Sequence, residues 1–407
     1  MKVFVVNCGS SSIKYQLFDM AKETVLAKGL LERIGTARAR LHYASNGKGG
    51  RKEEGQKSVK AADHTAGLNL IVETLLDPQI GVLGSIGEID GVGHRVVHGG
   101  EAVTASARID AKLIKVIEKN GELAPLHNPA NLAGIRAAMA AIKSAVHVAV
   151  FDTAFLATLP PHAYRYAVPT AWYTKYHVRR YGFHGTSHRY VTRAAADLLG
   201  KPVEQVNLIT VHLGNGCSMT AVAGGKAVDH SMGMTPLEGL VMGTRSGDID
   251  PAIIFHLHAN GLSVQDIDNT LNKESGLVGL SDLSNDMRDL VRAEEEEHNA
   301  KAILAMDVFA YRVAKYVGAY YTILPALDAV VLTGGIGENS LPIRRRICRY
   351  LSRLGVVADD RRSDRTINGK AGPITADGSP LAVWVVPTNE ELMIARDTAA
   401  IVSARGA

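Results

Sequence analysis

A strand, a turn and a returning strand are predicted in the segment Leu208-Ile209-Thr210-Val211-His212-Leu213-Gly214-Asn215-Gly216-Cys217-Ser218-Met219. This hairpin is the best indicator of the fold. Gly214-Asn215-Gly216 is a tight turn of the kind that joins the strands of a hairpin. At the N terminus, residues 3–6 predict a buried strand, residues 7–12 a polar turn and residues 13–18 the returning strand. Each half of the chain therefore opens with a β-hairpin, which indicates an internal duplication.

Composition limits the protein to a few classes. The 407 residues suggest two domains, and 46% apolar with 21% charged residues is typical of globular proteins. The formal net charge is only +4, from 45 basic and 41 acidic residues, so nucleic acid is not an expected partner.

Cysteine usage and hydropathy indicate where the protein works. Three widely spaced cysteines suit free thiols in a reducing compartment. Residues 1–7 read as a strand rather than a signal peptide, and no apolar run approaches the roughly 18 residues of a membrane helix. We therefore expect a cytoplasmic protein without a membrane partner.

Periodicity predicts the other main elements. They are a polar surface loop at 46–60, a helix at 130–142, a strand at 145–151, a helix from about 298 to 324 entered through the acidic run 294–297, and a strand at 329–333.

Two segments have the composition of anion sites. Met242-Gly243-Thr244-Arg245-Ser246-Gly247-Asp248-Ile249-Asp250 combines glycines with an arginine that can bind an anion through two nitrogens. Asn7-Cys8-Gly9-Ser10-Ser11-Ser12-Ile13-Lys14 offers backbone N–H groups, hydroxyls and a lysine around a turn. An ordinary surface turn explains either segment alone, but two matching hairpins favour a shared phosphate chain.

Other polar segments also flank predicted strands. Gly334-Gly335-Ile336-Gly337-Glu338-Asn339 follows a strand and predicts an adenosine-binding turn, and it lacks the glycine pattern of dinucleotide sites. His184 lies beside an aromatic residue and a glycine, although most histidines are structural. His188 follows at metal-like spacing, but Gly185 and the missing glutamate argue against a zinc protease.

Charged residues near strand ends suggest ligand contacts. Arg95 with Val97 could form a small pocket with a charged end, or Arg95 could belong to a surface ion pair. Asp152 and Glu390 each follow an apolar strand, where carboxylates often contact ligands and hard oxygen donors suit Mg²⁺. Either residue could equally cap a helix.

Together these residues resemble the acetate kinase family. The resemblance covers essentially the whole chain, in eight segments that occur in the family's order. These segments are 7–14, 93–100, 151–155, 182–188, 212–216, 242–250, 334–339 and 388–396.

The resemblance implies an α/β fold of two RNase H-like (actin-like ATPase) domains from an internal duplication, with the active-site cleft between them. It implies an N-terminal domain at 1–155, against which 388–407 packs, and a nucleotide-binding and dimerisation domain at 156–387. It also implies a homodimer that catalyses ATP + acetate ⇌ ADP + acetyl phosphate with Mg²⁺, or with Mn²⁺ in its place.

Residue roles follow from the same resemblance. Asn7 and Glu390 match the metal positions, Arg95 the arginine that holds the substrate carboxylate, and Asp152 an acid/base or metal-orienting residue. His184 and Arg245 resemble the pair that stabilises the transition state. The acetate methyl pocket would comprise Val97, Leu126, Phe183 and Pro236. The nucleotide would be bound by Ser10, Ser12, Lys14, His212, Leu213, Gly214, Asn215, Gly216, Asp286, Met287, Arg288, Gly334, Gly335, Ile336, Gly337 and Glu338.

Elementary chemistry agrees with direct transfer. Acetate is already ionised at pH 7 and needs no general base, so the site must position two anions and neutralise their charge. Branched Val97 favours acetate over propionate, although one methylene discriminates by only about 1–3 kcal/mol. A propionate or butyrate kinase, an actin-like ATPase switch and a zinc hydrolase are the alternatives.

Overall fold

A computed structural model describes residues 1–46, 52–125 and 127–404. The chain forms two compact units. The first comprises Met1–Ala154 and the segment from Asn389 onward, and the second comprises Phe155–Thr388.

The first unit is built on an eight-stranded sheet with the order β5-β4-β3-β2-β1-β6-β8-β7. Strands β1 to β5 pair antiparallel in sequence, whereas β6 and β8 run parallel to β1 and short β7 is antiparallel to β8. The strands are β1 (Lys2–Cys8), β2 (Ser12–Asp19), β3 (Thr24–Glu32), β4 (Arg40–Asn46), β5 (Lys52–Ser58), β6 (Gly91–Val96), β7 (Ala107–Arg108) and β8 (Val146–Phe151).

Helices cover this sheet. They are α1 (His64–Leu76), α2 (Ala111–Lys119), α3 (Asn128–Ala141) and the C-terminal helix (Glu390–Ser403). The apolar run of β1 is buried from Val3 to Val6, as a central strand requires. Helix α3 approaches β1 so closely that a Cβ on Gly134 would lie 2.2 Å from Cys8 Sγ, so only glycine fits there.

The second unit contains a six-stranded sheet with the order β11-β10-β9-β12-β14-β13. Its strands are β9 (Leu208–Leu213), β10 (Cys217–Ala223), β11 (Lys226–His230), β12 (Ala329–Thr333), β13 (Gly372–Pro373) and β14 (Val383–Val385). Its helices are α4 (Pro161–Tyr164), α5 (Thr170–Tyr176), α6 (Gly185–Leu199), α7 (Ala252–Ala259), α8 (Val264–Lys273), α9 (Gly276–Ser281), α10 (Met287–Glu297), α11 (Ala300–Ile323), α12 (Gly334–Asn339), α13 (Leu341–Leu351) and α14 (Asp360–Arg365).

Both sheets share one topology. In each unit three antiparallel strands are followed by two strands parallel to the first, in the orders β3-β2-β1-β6-β8 and β11-β10-β9-β12-β14. This is the RNase H-like order, and it confirms the predicted α/β fold with a duplicated domain.

Three details differ from the sequence predictions. Within the predicted loop 46–60, residues 52–58 form β5 and pair with β4, because cross-strand pairing compensates for a polar sequence. The acidic run 294–297 ends α10, and α11 begins only after His298 (φ 50°), with the Asn299 side chain as its cap. The glycine turn after β12 is the short helix α12.

Among the described residues, no helix has both the length and the apolar character needed to cross a bilayer.

Candidate active site

In the first unit, polar side chains gather at the carboxyl ends of three parallel strands. Asn7 lies near the end of β1, Arg95 near the end of β6, and Asp152 directly after β8. The parallel register pairs Val6 with His94 and Val96 with Phe151, so these strand ends are level with one another. This is the edge at which α/β sheets bind ligands.

Arg95 and Asp152 form a two-pronged ion pair. Arg95 Nη2 donates to Asp152 Oδ2 at 2.6 Å and Nε donates to the same oxygen at 3.0 Å. The Asp152 side chain is 2% exposed and the Arg95 side chain 23%. The Asp152 charge raises the pKa of Arg95, against the opposing effect of burial. Asp152 therefore fixes the orientation of the guanidinium and leaves its Nη1 outside the pair.

Glu390 adds a second carboxylate to this group from the first turn of the C-terminal helix. Its Oε2 lies 3.9 Å from Arg95 Nε. Burial, together with the nearby charges of Asp152 and Glu391, raises the pKa of Glu390 to about 7, while Arg95 and Lys14 oppose the change. A bound cation would therefore strongly favour the ionised form of Glu390.

The N-terminal hairpin turn places its polar groups as the sequence predicts. Gly9 N–H donates to the Ser12 carbonyl at 2.9 Å, which closes the turn and leaves Ser10 exposed. Lys14 pairs with Leu30 of β3, and its ammonium lies 2.5 Å from Glu391 Oε1. A phosphate would therefore compete with Glu391 for this half-exposed lysine.

Of the predicted methyl-pocket residues, only Val97 belongs to the described part of the first unit. Val97 follows β6, is 6% exposed, and its N–H donates to Asn131 Oδ1 at 3.1 Å. Leu126 lies outside the described residues. Phe183 and Pro236 belong to the second unit.

In the second unit, His184 is held in a strained position directly before α6. Its backbone is left-handed (φ 58°), and its ring stacks on His212 with centroids 4.5 Å apart. Its Nδ1 lies 2.9 Å from Ser218 Oγ in β10. The preceding Phe183 is buried, and its N–H donates to His230 Nε2 at 3.1 Å. Strain of this kind at a non-glycine residue is common at functional sites.

Arg245 is the second cation of interest. Its Nη1 donates to the Pro236 carbonyl at 3.2 Å and lies 3.5 Å from Met242 Sδ. Burial lowers the pKa of Arg245 from its ordinary value. Among the described residues, no carboxylate lies at hydrogen-bond distance from this partly buried guanidinium. Such a group favours the binding of an anion.

His184 and Arg245 meet at one point of the hairpin turn. A Cβ placed on Gly216 would lie 3.3 Å from His184 Cε1, 3.4 Å from its Nε2, and 3.5 Å from Arg245 Nη1. The loop that carries Arg245 is tied to the same turn, since Gly243 N–H donates to the Asn215 carbonyl at 2.8 Å. Glycine at position 216 leaves room for a ligand between two nitrogen donors.

A cavity of about 670 Å³ lies next to this turn in the same unit. Seven of its lining residues are predicted nucleotide contacts: Gly214, Asn215, Asp286, Met287, Arg288, Gly335 and Ile336. Asn339 also lines the cavity and belongs to the predicted adenosine-binding turn, although it was not among the individual nucleotide contacts. Four others were not predicted: Asn285, Val291, Ser340 and Pro342. These four lie close to the predicted motifs in sequence, and extending each motif to its neighbours could have found them.

The remaining predicted nucleotide residues of this unit do not line the cavity but support it. Gly334 (φ 77°) lies so close to Leu213 that a Cβ would be 2.7 Å from the Leu213 carbonyl oxygen. Glu338 Oε1 accepts hydrogen bonds from the N–H groups of Gly334 and Thr388, at 2.9 and 3.1 Å. Gly337 is a buried residue of α12, and His212 Nδ1 lies 2.9 Å from Ser187 Oγ. Gly216 closes the turn, since its carbonyl accepts from Gly214 N–H.

Among the described residues, no three His, Cys, Asp or Glu side chains lie together as a ready metal cage. Asn7 and Glu390 nevertheless supply oxygen donors in the first unit. Such a set fits Mg²⁺, which usually takes one or two carboxylates and completes its shell with water and substrate phosphate.

Known proteins resemble this chain over almost its whole length. The sequence model of the acetokinase family matches residues 2–396. The acetate kinase of Halothermothrix orenii is 52% identical over 403 residues, which are 99% of this chain and 100% of that protein. The acetate kinase of Thermotoga maritima is 52% identical over 408 residues, covering both chains completely.

Solved structures are similar as well. The crystal structure of Porphyromonas gingivalis acetate kinase superposes with a TM-score of 0.92 at 44% identity, covering 98% of this chain and 99% of that one. The crystal structure of a propionate kinase from Francisella tularensis subsp. tularensis SCHU S4 gives a TM-score of 0.90 at 40% identity, with the same coverage.

Proposed function

The chain belongs to the acetokinase family, and from this premise we propose that it transfers the terminal phosphoryl group of ATP to acetate, reversibly, to give acetyl phosphate and ADP. The observation that carries the proposal is the convergence of His184 and the desolvated Arg245 on Gly216, beside a cavity of nucleotide size.

The phosphoryl group would be bound in the second unit. The charge of a phosphoryl group in transfer spreads over its oxygens, and prearranged N–H donors stabilise it. Arg245 Nη1 and the Cε1–Nε2 edge of His184 border the same space over Gly216. We assign transition-state stabilisation to these two residues and ADP binding to the cavity beyond the Gly214–Gly216 turn.

The acetate carboxylate would be bound in the first unit by Arg95. Because Asp152 occupies the Nε and Nη2 side of the guanidinium, Nη1 remains for the substrate. Acetate is ionised at neutral pH, so it attacks phosphorus directly, and no residue has to remove a proton. Val97 would limit the space at the methyl end.

We further propose that Asn7 and Glu390 hold Mg²⁺, with Asp152 helping to organise it. The donors fit, because the pKa of Glu390 is raised by burial among carboxylates and a divalent cation would relieve that repulsion. When bound, the ion would neutralise negative charge on the nucleotide phosphates. Ser10, Ser12 and Lys14 would contact those phosphates from the N-terminal hairpin.

The second unit also carries a surface that we propose joins two copies of the chain. All eight residues of α7 are described and none is buried, although the helix reads Ala-Ile-Ile-Phe-His-Leu-His-Ala. Phe255 is 72% exposed, and Val264 at the start of α8 is 61% exposed. Large exposed apolar patches often mark protein interfaces. Sedimentation should show a dimer, and Phe255→Glu should yield monomers.

A cytoplasmic location completes the proposal. All three cysteines are free thiols, and burial raises the pKa of each, which keeps them unreactive in a reducing compartment.

Trapping acetyl phosphate with hydroxylamine tests the proposed activity. The purified protein is incubated with ATP, Mg²⁺ and formate, acetate, propionate or butyrate, and the hydroxamates are quantified. We expect acetate to give the highest kcat/KM. A higher value for propionate would favour the alternative that the 40% identity to a propionate kinase supports. ATP hydrolysis that needs no carboxylate would instead favour an ATPase switch.

A further inference from the structure

A chain of buried hydroxyl and imidazole groups leads from the interior of the second unit to His184. Thr210 Oγ1 lies 2.7 Å from His188 Nδ1, His188 Nε2 lies 2.7 Å from Ser218 Oγ, and Ser218 Oγ lies 2.9 Å from His184 Nδ1. Thr210, His188 and Ser218 are completely buried. The proposed function explains His184 but leaves these three residues unassigned.

His188 is neutral and carries one ring proton. Burial lowers the pKa of His188 well below its ordinary value, and the nearby His230 and His212 lower it further. A neutral imidazole has one N–H donor and one acceptor nitrogen. His188 therefore donates to one of its two hydroxyl partners and accepts from the other, which leaves two possible directions for the whole chain.

In the first direction, His188 Nδ1–H donates to Thr210, and Ser218 donates to His188. Thr210 must then donate to the Thr220 carbonyl, which is 3.4 Å away and therefore a weak acceptor. Ser218 would accept the proton of His184 Nδ1, and a neutral His184 would present a bare Nε2. The space over Gly216 would then have an N–H donor from Arg245 but none from neutral His184.

In the second direction, every hydrogen bond is short. Thr210 donates to His188 Nδ1 at 2.7 Å, His188 Nε2–H donates to Ser218 at 2.7 Å, and the Ser218 hydroxyl donates to His184 Nδ1 at 2.9 Å. With Nδ1 as an acceptor, the proton of neutral His184 lies on Nε2. That edge of the ring borders Gly216 together with Arg245 Nη1.

We propose that Ser218 and His188 are positioning residues that hold His184 in its Nε2–H tautomer, so that the neutral ring donates a hydrogen bond to the phosphoryl group. The inference rests on the proposed function for the identity of the acceptor. With this tautomer, His184 does not have to be charged to donate beside His212, which stacks on its ring, and Arg245, which borders the same space. A wrong tautomer of a site histidine is known to be costly even where geometry is intact.

The tautomer can be measured directly in the intact protein. Nitrogen-15 NMR of the histidine rings, with His184 assigned through His184→Gln, distinguishes a protonated Nε2 from a protonated Nδ1. We expect His184 at pH 8 to carry its proton on Nε2. A proton on Nδ1 of neutral His184 would overturn the proposal even if acetyl phosphate formation is normal, and loss of that activity alone would contradict only the proposed function.

Kinetics of Ser218→Ala supply the second test. Without the hydroxyl, His184 can exchange between its two neutral tautomers. Only the doubly protonated ring then always carries a proton on Nε2, so the activity of the variant should increase as the pH is lowered. We expect kcat at pH 8 to fall at least about 10- to 100-fold, the cost known for losing a hydrogen-bond partner that orients a metal-ligating histidine. The loss should be smaller at pH 6, with the KM values for ATP and acetate little changed.

Two further variants separate positioning from packing. His188→Gln keeps a donor toward Ser218 and should retain more activity than His188→Leu. Thr220 lies in the same strand as Ser218, and its Oγ1 makes a comparable buried contact with His230 Nδ1 at 2.9 Å. Thr220→Val removes this contact and should leave the pH profile of kcat unchanged. If packing alone mattered, Ser218→Ala would lower kcat equally at pH 6 and pH 8, and so would Thr220→Val. An equal loss at both pH values in Ser218→Ala would therefore refute the kinetic claim.

Discussion

Arg95 binds Asp152 through two guanidinium nitrogens, with Nη2 and Oδ2 only 2.6 Å apart and the carboxylate almost completely enclosed. An arginine proposed to hold a substrate anion is thus itself held by a protein anion. Arg95 has a structural role in this ion pair and a separate, proposed role in binding acetate, and experiments can test the two roles separately.

Arg95→Ala should destabilise the protein and weaken acetate binding. Removing one partner of a buried pair leaves an unpaired charge, at a cost of about 3–5 kcal/mol. Arg95→Ala/Asp152→Asn removes both charges, so it should regain stability in urea denaturation while KM for acetate stays high. The surface pair Arg136–Glu118 is the control, and Arg136→Ala should cost below about 1 kcal/mol. Equal rises in KM for acetate and ATP would contradict the assignment of Arg95.

Arg245→Ala should abolish most turnover without unfolding the protein. Its side chain makes one hydrogen bond to the Pro236 carbonyl and a contact with Met242 Sδ, so little structure depends on it. Loss of one preorganised donor typically lowers kcat by ~10²–10³. Arg345→Ala, at an exposed ion pair with Asp360, is the matched control. A variant that keeps most of its turnover would exclude Arg245 from transition-state stabilisation.

The sequence predicts the parts of this molecule that follow from local rules. The two hairpins at β1–β2 and β9–β10 were predictable because apolar runs flank turns of small residues. The strand β5 was not, because Lys52–Ser58 is polar and is a strand only through its pairing with β4. The end of α10 was also missed, since the left-handed backbone of His298 has no signal in composition.

The candidate site, too, could be predicted from the sequence only in part. Glycine-rich segments indicated the turns around the cavity, but the sequence gives no distances, so the pairing of Arg95 with Asp152 could not be foreseen. Nor could the chain from Thr210 through His188 to Ser218, because its members come from α6, β9 and β10. Buried polar networks depend on tertiary packing, which no short motif encodes.

Glu390 should make stability depend on pH in an unusual direction. Its pKa rises from 4.5 to about 7 in the folded protein, so between these values the folded state binds more protons than the unfolded state. The free energy of unfolding therefore falls as pH rises through this window, and that fall should be absent in Glu390→Gln. Denaturation from pH 4.5 to 8 measures it, with exposed Glu295→Gln as the control.

Magnesium should reverse this trend if Glu390 helps to hold it. Binding requires the ionised carboxylate, so stabilisation by Mg²⁺ should grow as pH rises toward 7 and be reduced in Glu390→Gln. A stabilisation by Mg²⁺ that is the same in both proteins at every pH would remove Glu390 from the metal site.

Gly216→Ala should impair turnover through contact alone. The added methyl would lie 3.3 to 3.5 Å from His184 and Arg245 Nη1, in the space assigned to the phosphoryl group. We expect kcat to fall at least about 10-fold, because small misplacements at the reacting centre are costly. Gly318→Ala in α11 meets nothing within 4 Å and should slightly stabilise the helix without affecting turnover. Normal activity of Gly216→Ala would place the phosphoryl group elsewhere.

Val97→Ala should shift substrate preference toward propionate. Val97 is 6% exposed directly after β6, two residues from Arg95, so the space beside it limits how long a carboxylic acid can be while its carboxylate contacts the arginine. Removing two methyl groups makes room for one methylene, and the ratio of kcat/KM for propionate to acetate should rise by about 10-fold, within the 1–3 kcal/mol that one methylene contributes. Val103→Ala, in the same unit but outside the proposed pocket, is the control for general loosening. An unchanged ratio in Val97→Ala would mean that other side chains limit the length of the acid that can bind. An equal rise of the ratio in Val97→Ala and Val103→Ala would mean that looser packing of the unit causes the effect.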